Sequence, residues 1–150
     1  MKVVVQRVSR ALVSVADEPI SSIGMGLMIL VGIEDADGDE DIKWLSNKIC
    51  GLRIFDDLDG IMNLSVKDVN GDLIAVSQFT LHARVKKGFR PSYIEAASPD
   101  ISIPLYESFV RQLELDLGKS IGTGVFGEHM KLDIINDGPV TIIIDSKNRK

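Results

Sequence analysis

The chain has 150 residues and a net charge of −5, a length that fits one domain rather than two. Hydrophobic residues make up 45% and charged residues 26% of the chain, a globular balance that excludes a disordered or collagen-like protein. No apolar run approaches the roughly 20 residues of a membrane-spanning helix. The start lacks a signal-peptide pattern, and the lone Cys50 excludes an internal disulfide. These features predict a single domain over residues 1–150, a cytoplasmic location and no membrane partner.

Acidic residues outnumber basic ones, 22 against 17. This excess disfavours long nucleic acids, because binding to them depends on neutralising phosphates. We therefore expect no DNA partner. Four cations nevertheless cluster within seven residues: Arg84, Lys86, Lys87 and Arg90. They form either a solvated charged loop or a contact for one or two phosphates at a nucleic-acid end.

The first third of the chain predicts strands and then a helix. Residues 3–8 and 11–15 are rich in β-branched side chains and predict two strands joined by a hairpin at Ser9-Arg10. Residues 27–33 form an almost continuous apolar run, which is typical of a strand buried on both faces. An apolar stripe then predicts an amphipathic helix, with Cys50 beside it as a core residue. The stripe consists of Ile42, Leu45, Ile49 and Leu52.

The remaining elements complete an α/β pattern. Residues 73–81 predict a strand whose second face turns polar towards its end. A second helix is expected to start at Ser102 and Pro104 and to stop at Gly118. Residues 130–135 and 140–144 predict two strands around a tight reversal at residues 136–139. The fold class is therefore α/β: one domain whose mixed β-sheet curls towards a barrel, with two main helices on one side.

The sequence offers no pattern for a metal or a nucleotide cofactor. His82, His129 and Cys50 do not form an HxxxH or CxxC pair, so neither a metal nor any other cofactor is expected. Gly122, Gly124 and Gly127 spell GxGxxG. They follow a predicted helix and lead into a strand, the reverse of the dinucleotide-binding order, and therefore predict a connector or a close approach of backbones.

Polar groups end the predicted strand at residues 73–81. Ser77, Gln78, Phe79 and Thr80 begin the SQFTL segment, residues 77–81, and buried hydroxyl and amide groups are costly unless they are paired. Either neighbouring loops satisfy them, or they floor a small pocket that offers donors to a carbonyl or oxyanion. A nucleophilic pair of Thr80 with His82 is less favoured, since residues two apart on a strand lie about 6.5–7 Å apart. A surface position is expected for His82.

The chain resembles the D-aminoacyl-tRNA deacylases along almost its whole length. The similarity lies in Val5-Gln6-Arg7-Val8, residues 24–32, the SQFTL segment, residues 87–91, Phe126-Gly127 and residues 136–141. SQFTL together with Gly138-Pro139-Val140-Thr141 is a highly specific combination. One departure is Phe89, where the family usually has a second arginine, and this reduces the local positive charge.

The resemblance implies a proofreading hydrolase that cleaves the ester joining a D-amino acid to the 3′ end of tRNA and removes glycine misplaced on alanine tRNA. It implies a homodimer in which Gly138-Pro139, with a cis peptide bond, enters the partner's pocket and Arg7 helps to orient it. A stiff pair of main-chain carbonyls can reject every L side chain regardless of size, which a side-chain pocket does poorly.

The resemblance also implies how the ester is cleaved. The SQFTL segment would line the pocket, the backbone N–H groups near Phe79 and Thr80 would hold the oxyanion, and the 2′-hydroxyl of the tRNA would assist. A nucleophilic Thr80 is the less favoured mechanism. Phe126 and Met130 are expected to line a pocket for adenosine. The alternative is a non-catalytic dimeric module that binds adenosine or a tRNA end.

Overall fold

Two long antiparallel strands form the spine of the protein. The computed structural model describes all 150 residues. The elements in chain order are β1 (Lys2–Val15), β2 (Glu18–Ile23), β3 (Gly26–Gly32), α1 (Asp39–Gly51), β4 (Phe55–Asp56), β5 (Met62–Leu64), β6 (Asp72–Ser77), a 3-10 turn (Phe79–His82), α2 (Pro99–Leu117), β7 (Gly122–Thr123) and β8 (Met130–Asp145). Strands β1 and β8 pair from Lys2 with Asp145 to Val15 with Met130.

The main sheet is mixed and curls until it is nearly a closed barrel. β1 pairs antiparallel with β2, β3 and β8, whereas β3, β6 and β7 run parallel. A separate two-stranded ribbon joins β4 to β5. The predicted α/β class, with a mixed sheet and two main helices, is confirmed.

Three predicted strand boundaries are wrong. β1 continues through Ser9-Arg10 without a hairpin, because its two halves change partner there, from β3 to β2. This dipeptide also lacks the Gly or Asn that a two-residue hairpin needs. β8 continues through residues 136–139 without reversing, since β1 serves as its partner on both sides of that segment. β6 ends at Ser77 rather than at Leu81.

The two helices pack against each other and cover a core of 21 buried residues. α2 begins at Pro99 after Ser98, so the predicted start at Ser102 is wrong and Pro104 lies inside the helix. Proline is well tolerated at the first helical position, and Pro99 takes that place. The predicted end at Gly118 is confirmed, with φ at +87°. Neither helix is long and apolar enough to cross a membrane.

Cys50 is a core residue, as predicted, with 3% of its surface exposed. Burial, followed by the nearby charge of Asp116, raises the pKa of its thiol to about 11. The thiolate is the reactive form of cysteine. Cys50 is therefore an inert packing group at neutral pH.

Candidate active site

The SQFTL segment leaves the sheet at the carboxyl end of β6. Ser77 pairs with Val31 of β3, and the backbone N–H of Gln78 donates to the Val31 carbonyl at 2.7 Å. The chain then turns, and the N–H of Leu81 donates back to the Gln78 carbonyl at 3.2 Å. The turn fits against β3 because Gly32 has no side chain: a Cβ there would lie 2.9 Å from the Cβ of Leu81 and 3.0 Å from the Gln78 carbonyl oxygen.

This turn leaves two backbone donors at its start. In a turn closed by i→i+3 hydrogen bonds, the first N–H groups have no partner within the turn. Those groups here belong to Phe79 and Thr80, the first two residues of the 3-10 turn. The side chain of Phe79 is 56% exposed and meets the ring of Tyr93 edge-on, with 5.1 Å between centroids.

The Thr80 hydroxyl is hydrogen-bonded within the segment itself. The side-chain amide of Gln78 donates to Oγ1 of Thr80, so that oxygen has an amide and not a base as its side-chain partner. A nucleophilic hydroxyl needs a base that removes its proton. The geometry thus favours Thr80 as a positioned polar group over Thr80 as a nucleophile.

His82 is not the surface residue that the sequence predicts, because it is only 1% exposed. The premise that Thr80 and His82 share a strand face is also wrong, since both lie in the 3-10 turn. The turn packs the imidazole beneath β3, where its Cδ2 would lie 3.0 Å from a Cβ at Gly32. Its Nε2 is buried without a hydrogen-bond partner.

A cavity of about 270 Å³ lies between the SQFTL segment and the residues that lead into β8. It brings Ser77, Gln78 and Phe79 together with Phe126 and Met130. Thr80 does not line it. Sequence reasoning missed five further lining residues: Val76, Gly127, Glu128, His129 and Leu132. The available clue was the glycine-rich connector at residues 122–127, which carries the chain to this edge of the sheet.

Packing holds the far wall of this cavity in place. Tyr106 of α2 donates its hydroxyl to the Ala75 carbonyl at 2.7 Å, and its ring lies 5.8 Å from that of Phe126. Burial raises the pKa of Tyr106 to about 12, so the hydroxyl stays protonated and keeps donating. Gly124 lets the connector approach Met130, whose Sδ occupies the space that a Cβ at position 124 would need.

Gly138 and Pro139 lie elsewhere, in a bulge of β8 at residues 137–140. Val8 pairs with Asn136 and Gln6 with Thr141, so four residues of β8 lie opposite the single residue Arg7. Gly138 has φ at +133°, and its peptide bond to Pro139 is cis. Both residues are exposed, and neither lines the cavity of the same chain.

Arg7 fastens this bulge to the protein. Its side chain is 9% exposed, and Nε donates to the Asp137 carbonyl at 2.9 Å while Nη1 donates to the Ile54 carbonyl at 2.7 Å. Asp56 adds a carboxylate 3.5 Å from Nη1. A buried guanidinium is tolerable only with such partners, so Arg7 fixes the backbone immediately before Gly138.

The basic loop (residues 84–92) adjoins the SQFTL segment. Arg84 and Ser92 close it through two backbone hydrogen bonds of 2.8 and 3.0 Å. The ion pair of Arg84 with Glu95 lies outside the loop's tip. The loop follows directly after the 3-10 turn, and Tyr93, which contacts Phe79, follows the loop.

Three larger cavities hold none of the predicted site residues, and one of them, of about 550 Å³, lies at the end of α2 beside Gly118. Another, of about 590 Å³, lies beside Trp44 and the end of β8, and the third, of about 420 Å³, lies beside Cys50 and Asp116. The smaller cavity at the SQFTL segment is the better candidate because an aromatic wall faces convergent polar groups there, which is the usual make-up of a ligand site.

Comparison with known proteins identifies the class of protein to which this fold and cavity belong. Residues 4–145 match the family model described as D-Tyr-tRNA(Tyr) deacylase. The chain is 63% identical to the D-aminoacyl-tRNA deacylase of Flavobacterium psychrophilum and 58% identical to that of Bacteroides thetaiotaomicron, in both cases over 150 residues and the whole of each protein. The chain belongs to this deacylase family.

Solved structures show the same fold. The c-Myc DNA unwinding element binding protein is 41% identical, with a TM-score of 0.89 over 97% of this chain and 98% of the other. A probable eukaryotic D-amino acid tRNA deacylase, at 18% identity and a TM-score of 0.82 over 95% and 97%, shares the fold. The predicted enzyme class, a hydrolase of the aminoacyl ester bond, is confirmed by the family and its close relatives.

Proposed function

We propose that the protein hydrolyses the ester between a D-amino acid and the 3′ end of tRNA, and that it also removes glycine misplaced on alanine tRNA, as a cytoplasmic proofreading enzyme. The observation that carries this proposal is the cavity that joins the SQFTL segment to Phe126 and Met130. Relatives named D-aminoacyl-tRNA deacylase, up to 63% identical over the full chain, support it.

Phe126 and Met130 are proposed to hold the terminal adenosine. An aromatic ring and a polarizable thioether give a base two apolar contacts that need no particular hydrogen-bond pattern. Tyr106 supports Phe126 from behind, so the ring is held in place before the substrate binds. The ester then lies at the SQFTL side of the cavity.

The reaction needs little beyond orientation and charge stabilisation. A water oxygen attacks the ester carbonyl carbon, and the N–H groups of Phe79 and Thr80 stabilise the oxyanion. The carbon–oxygen bond to the ribose then breaks, and the 3′-oxygen leaves with a proton, assisted by the neighbouring 2′-hydroxyl. Ser77 and Gln78 position these groups, and Gln78 holds the Thr80 hydroxyl. This chemistry uses no metal and no cofactor.

We propose that handedness is read by Gly138 and Pro139 of a second subunit in a homodimer. The exposure of the bulge, its absence from the same chain's cavity and its anchoring by Arg7 support this role. Stiff main-chain carbonyls would bind the α-amino group and occupy the space that any L side chain needs. Glycine has no side chain, so it passes the same filter.

The nucleic-acid partner is proposed to be a tRNA end rather than DNA. One relative carries a DNA-binding name, but the net charge of −5 here disfavours a duplex. A tRNA end presents few phosphates and a terminal adenosine that the cavity can hold.

Incubation with D-tyrosyl-tRNA and L-tyrosyl-tRNA tests the proposal. We expect hydrolysis of the D ester to be favoured by at least about 1,000-fold, more than the roughly 10–200-fold that a methylene-sized difference gives. A non-catalytic binding module would leave both esters intact, and an unselective esterase would cleave both. Either result would refute the proposed function.

A further inference from the structure

The tip of the basic loop presents an aromatic ring entirely to solvent. Phe89 is fully exposed: its solvent-accessible area is 108% of the reference value for a phenylalanine residue, the highest fraction among the large apolar residues of the chain. Gly88, with φ at +67°, makes the sharp turn that projects it. Nothing within the chain covers the ring, and solvent-exposed aromatic side chains next to a functional site are typical of recognition surfaces.

The charge around Phe89 is positive and available for binding. Arg84 is paired with Glu95, whereas Lys86, Lys87 and Arg90 form no ion pair with the rest of the chain. Three unpaired cations therefore lie within three residues of one exposed ring in the sequence, in a protein whose net charge is −5. Single-stranded nucleic acids are bound by this combination, in which cations contact phosphates and an aromatic ring stacks on a base.

A second turn of the chain shows that exposure alone does not create such a site. Leu58 is 107% exposed at the tip of the turn after β4, but its neighbours are Asp57 and Asp59. That turn would repel a phosphate, and an aliphatic side chain offers no ring for stacking. Phe89 and Leu58 are thus matched in exposure and opposite in surrounding charge.

The position of Phe89 relative to the cavity suggests which nucleotides it reaches. Tyr93 contacts Phe79 at the cavity, and Phe89 lies four residues before Tyr93. The backbone of Phe89 therefore lies at most about 14 Å from that of Tyr93, since this is the full reach of four residues. A single strand of about four stacked nucleotides covers the same distance. The ring is therefore within reach of the bases that precede an adenosine held at Phe126.

We propose that the basic loop binds the unpaired 3′ end of tRNA, with Phe89 stacked on a base next to the terminal adenosine and Lys86, Lys87 and Arg90 contacting its phosphates. This rests on the proposed function, since it assigns a surface for the nucleotides of that substrate. Phe89 acts in substrate binding and takes no part in ester cleavage.

The test compares two substrates that differ only in these nucleotides, D-tyrosyl-tRNA and the D-tyrosyl ester of adenosine. F89A should lower kcat/KM about tenfold more on the tRNA than on the adenosine ester, mainly through KM. F89W should stay within about twofold of the parent protein, because an indole offers a similar stacking face. L58A is the matched control and should behave as the parent on both substrates.

Binding of uncharged tRNA, measured by fluorescence anisotropy, separates this inference from the proposed function. F89A should weaken that binding whether or not the protein is catalytic. A parent protein that cleaves neither ester, yet loses tRNA affinity in F89A, would support the basic loop and overturn the proposed function. Equal losses on both substrates, or unchanged tRNA affinity in F89A, would overturn the role of Phe89.

Discussion

The end of β6 and the bulge of β8 both interrupt a strand, but they direct their polar groups differently. After Ser77 the chain turns over β3, Gln78 bonds to Thr80, and the segment borders a cavity. After Asn136 the chain leaves the ladder opposite Arg7, and Gly138 and Pro139 remain exposed. The first interruption forms a site within one chain. The second leaves Gly138 and Pro139 exposed and away from that cavity.

The anchors of the two regions explain this difference. The turn at residues 79–82 is positioned by close contact, because Gly32 lets it approach β3. The bulge is positioned by Arg7, which donates to the Asp137 carbonyl and to the Ile54 carbonyl. The position of the turn depends on the absence of a side chain at Gly32, and the position of the bulge depends on the buried guanidinium of Arg7. Substitutions in the two regions should therefore have different consequences.

The largest effect is expected for G138A. Because φ is +133° and atoms of Val140 and Arg7 lie 2.9 and 3.1 Å from the position that a Cβ would take, an alanine would displace the bulge. A shift of about 1 Å in a positioning group can reduce the rate about 100-fold, so kcat/KM on D-tyrosyl-tRNA should fall by about that factor. G51A, where a Cβ meets nothing within 4 Å, is the control and should retain activity.

Subunit mixing sharpens this prediction. G138A is altered in the bulge and Q78A in the cavity. If each site combines the cavity of one subunit with the bulge of the other, a heterodimer of the two variants has one intact site of two. A 1:1 mixture, in which half of the dimers are heterodimers, should therefore regain activity at about a quarter of all sites. If gel filtration shows heterodimers and the mixture of the two inactive variants stays inactive, both regions belong to the same subunit's site. That result would contradict the dimer proposal.

An intermediate effect, on stability rather than activity, is expected at the carboxyl end of β8. Burial alone raises the pKa of Asp41, but hydrogen bonds from Lys147, which follows β8, and from the Gly38 backbone outweigh it and lower the pKa to about 2. A folded pKa below the unfolded value of 3.8 stabilises the fold above pH 4. This contribution, about 2 kcal/mol, should disappear as the pH falls towards 2.

Urea unfolding between pH 7 and pH 2 measures this effect. D41N should lack this part of the acid dependence, whereas D35N, in the exposed loop before α1, should retain it. Activity at neutral pH should be the same in both variants, because the contact between Asp41 and Lys147 lies apart from the bulge. A D41N protein with the full acid dependence would show that the Asp41–Lys147 contact contributes little.

The smallest effect is expected for T80A. Its hydroxyl accepts from Gln78 and has no base beside it, so kcat/KM should stay within about tenfold of the parent protein. T80S, which keeps the hydroxyl, should be closer still. A loss of about a thousandfold or more in T80A, with T80S active and both proteins folded, would instead identify Thr80 as the nucleophile.

The sequence by itself determined the α/β class with a mixed sheet and two main helices, the helix end at Gly118, the core position of Cys50 and the family. Those properties depend on local patterns and on motifs whose residues are neighbours in the chain. The continuity of β1 and β8, the burial of His82 and the separation of Gly138 from the SQFTL segment were decided by the tertiary structure. Strand pairing joins residues more than a hundred positions apart, as Val8 pairs with Asn136, and no local pattern reports which partner a segment will find.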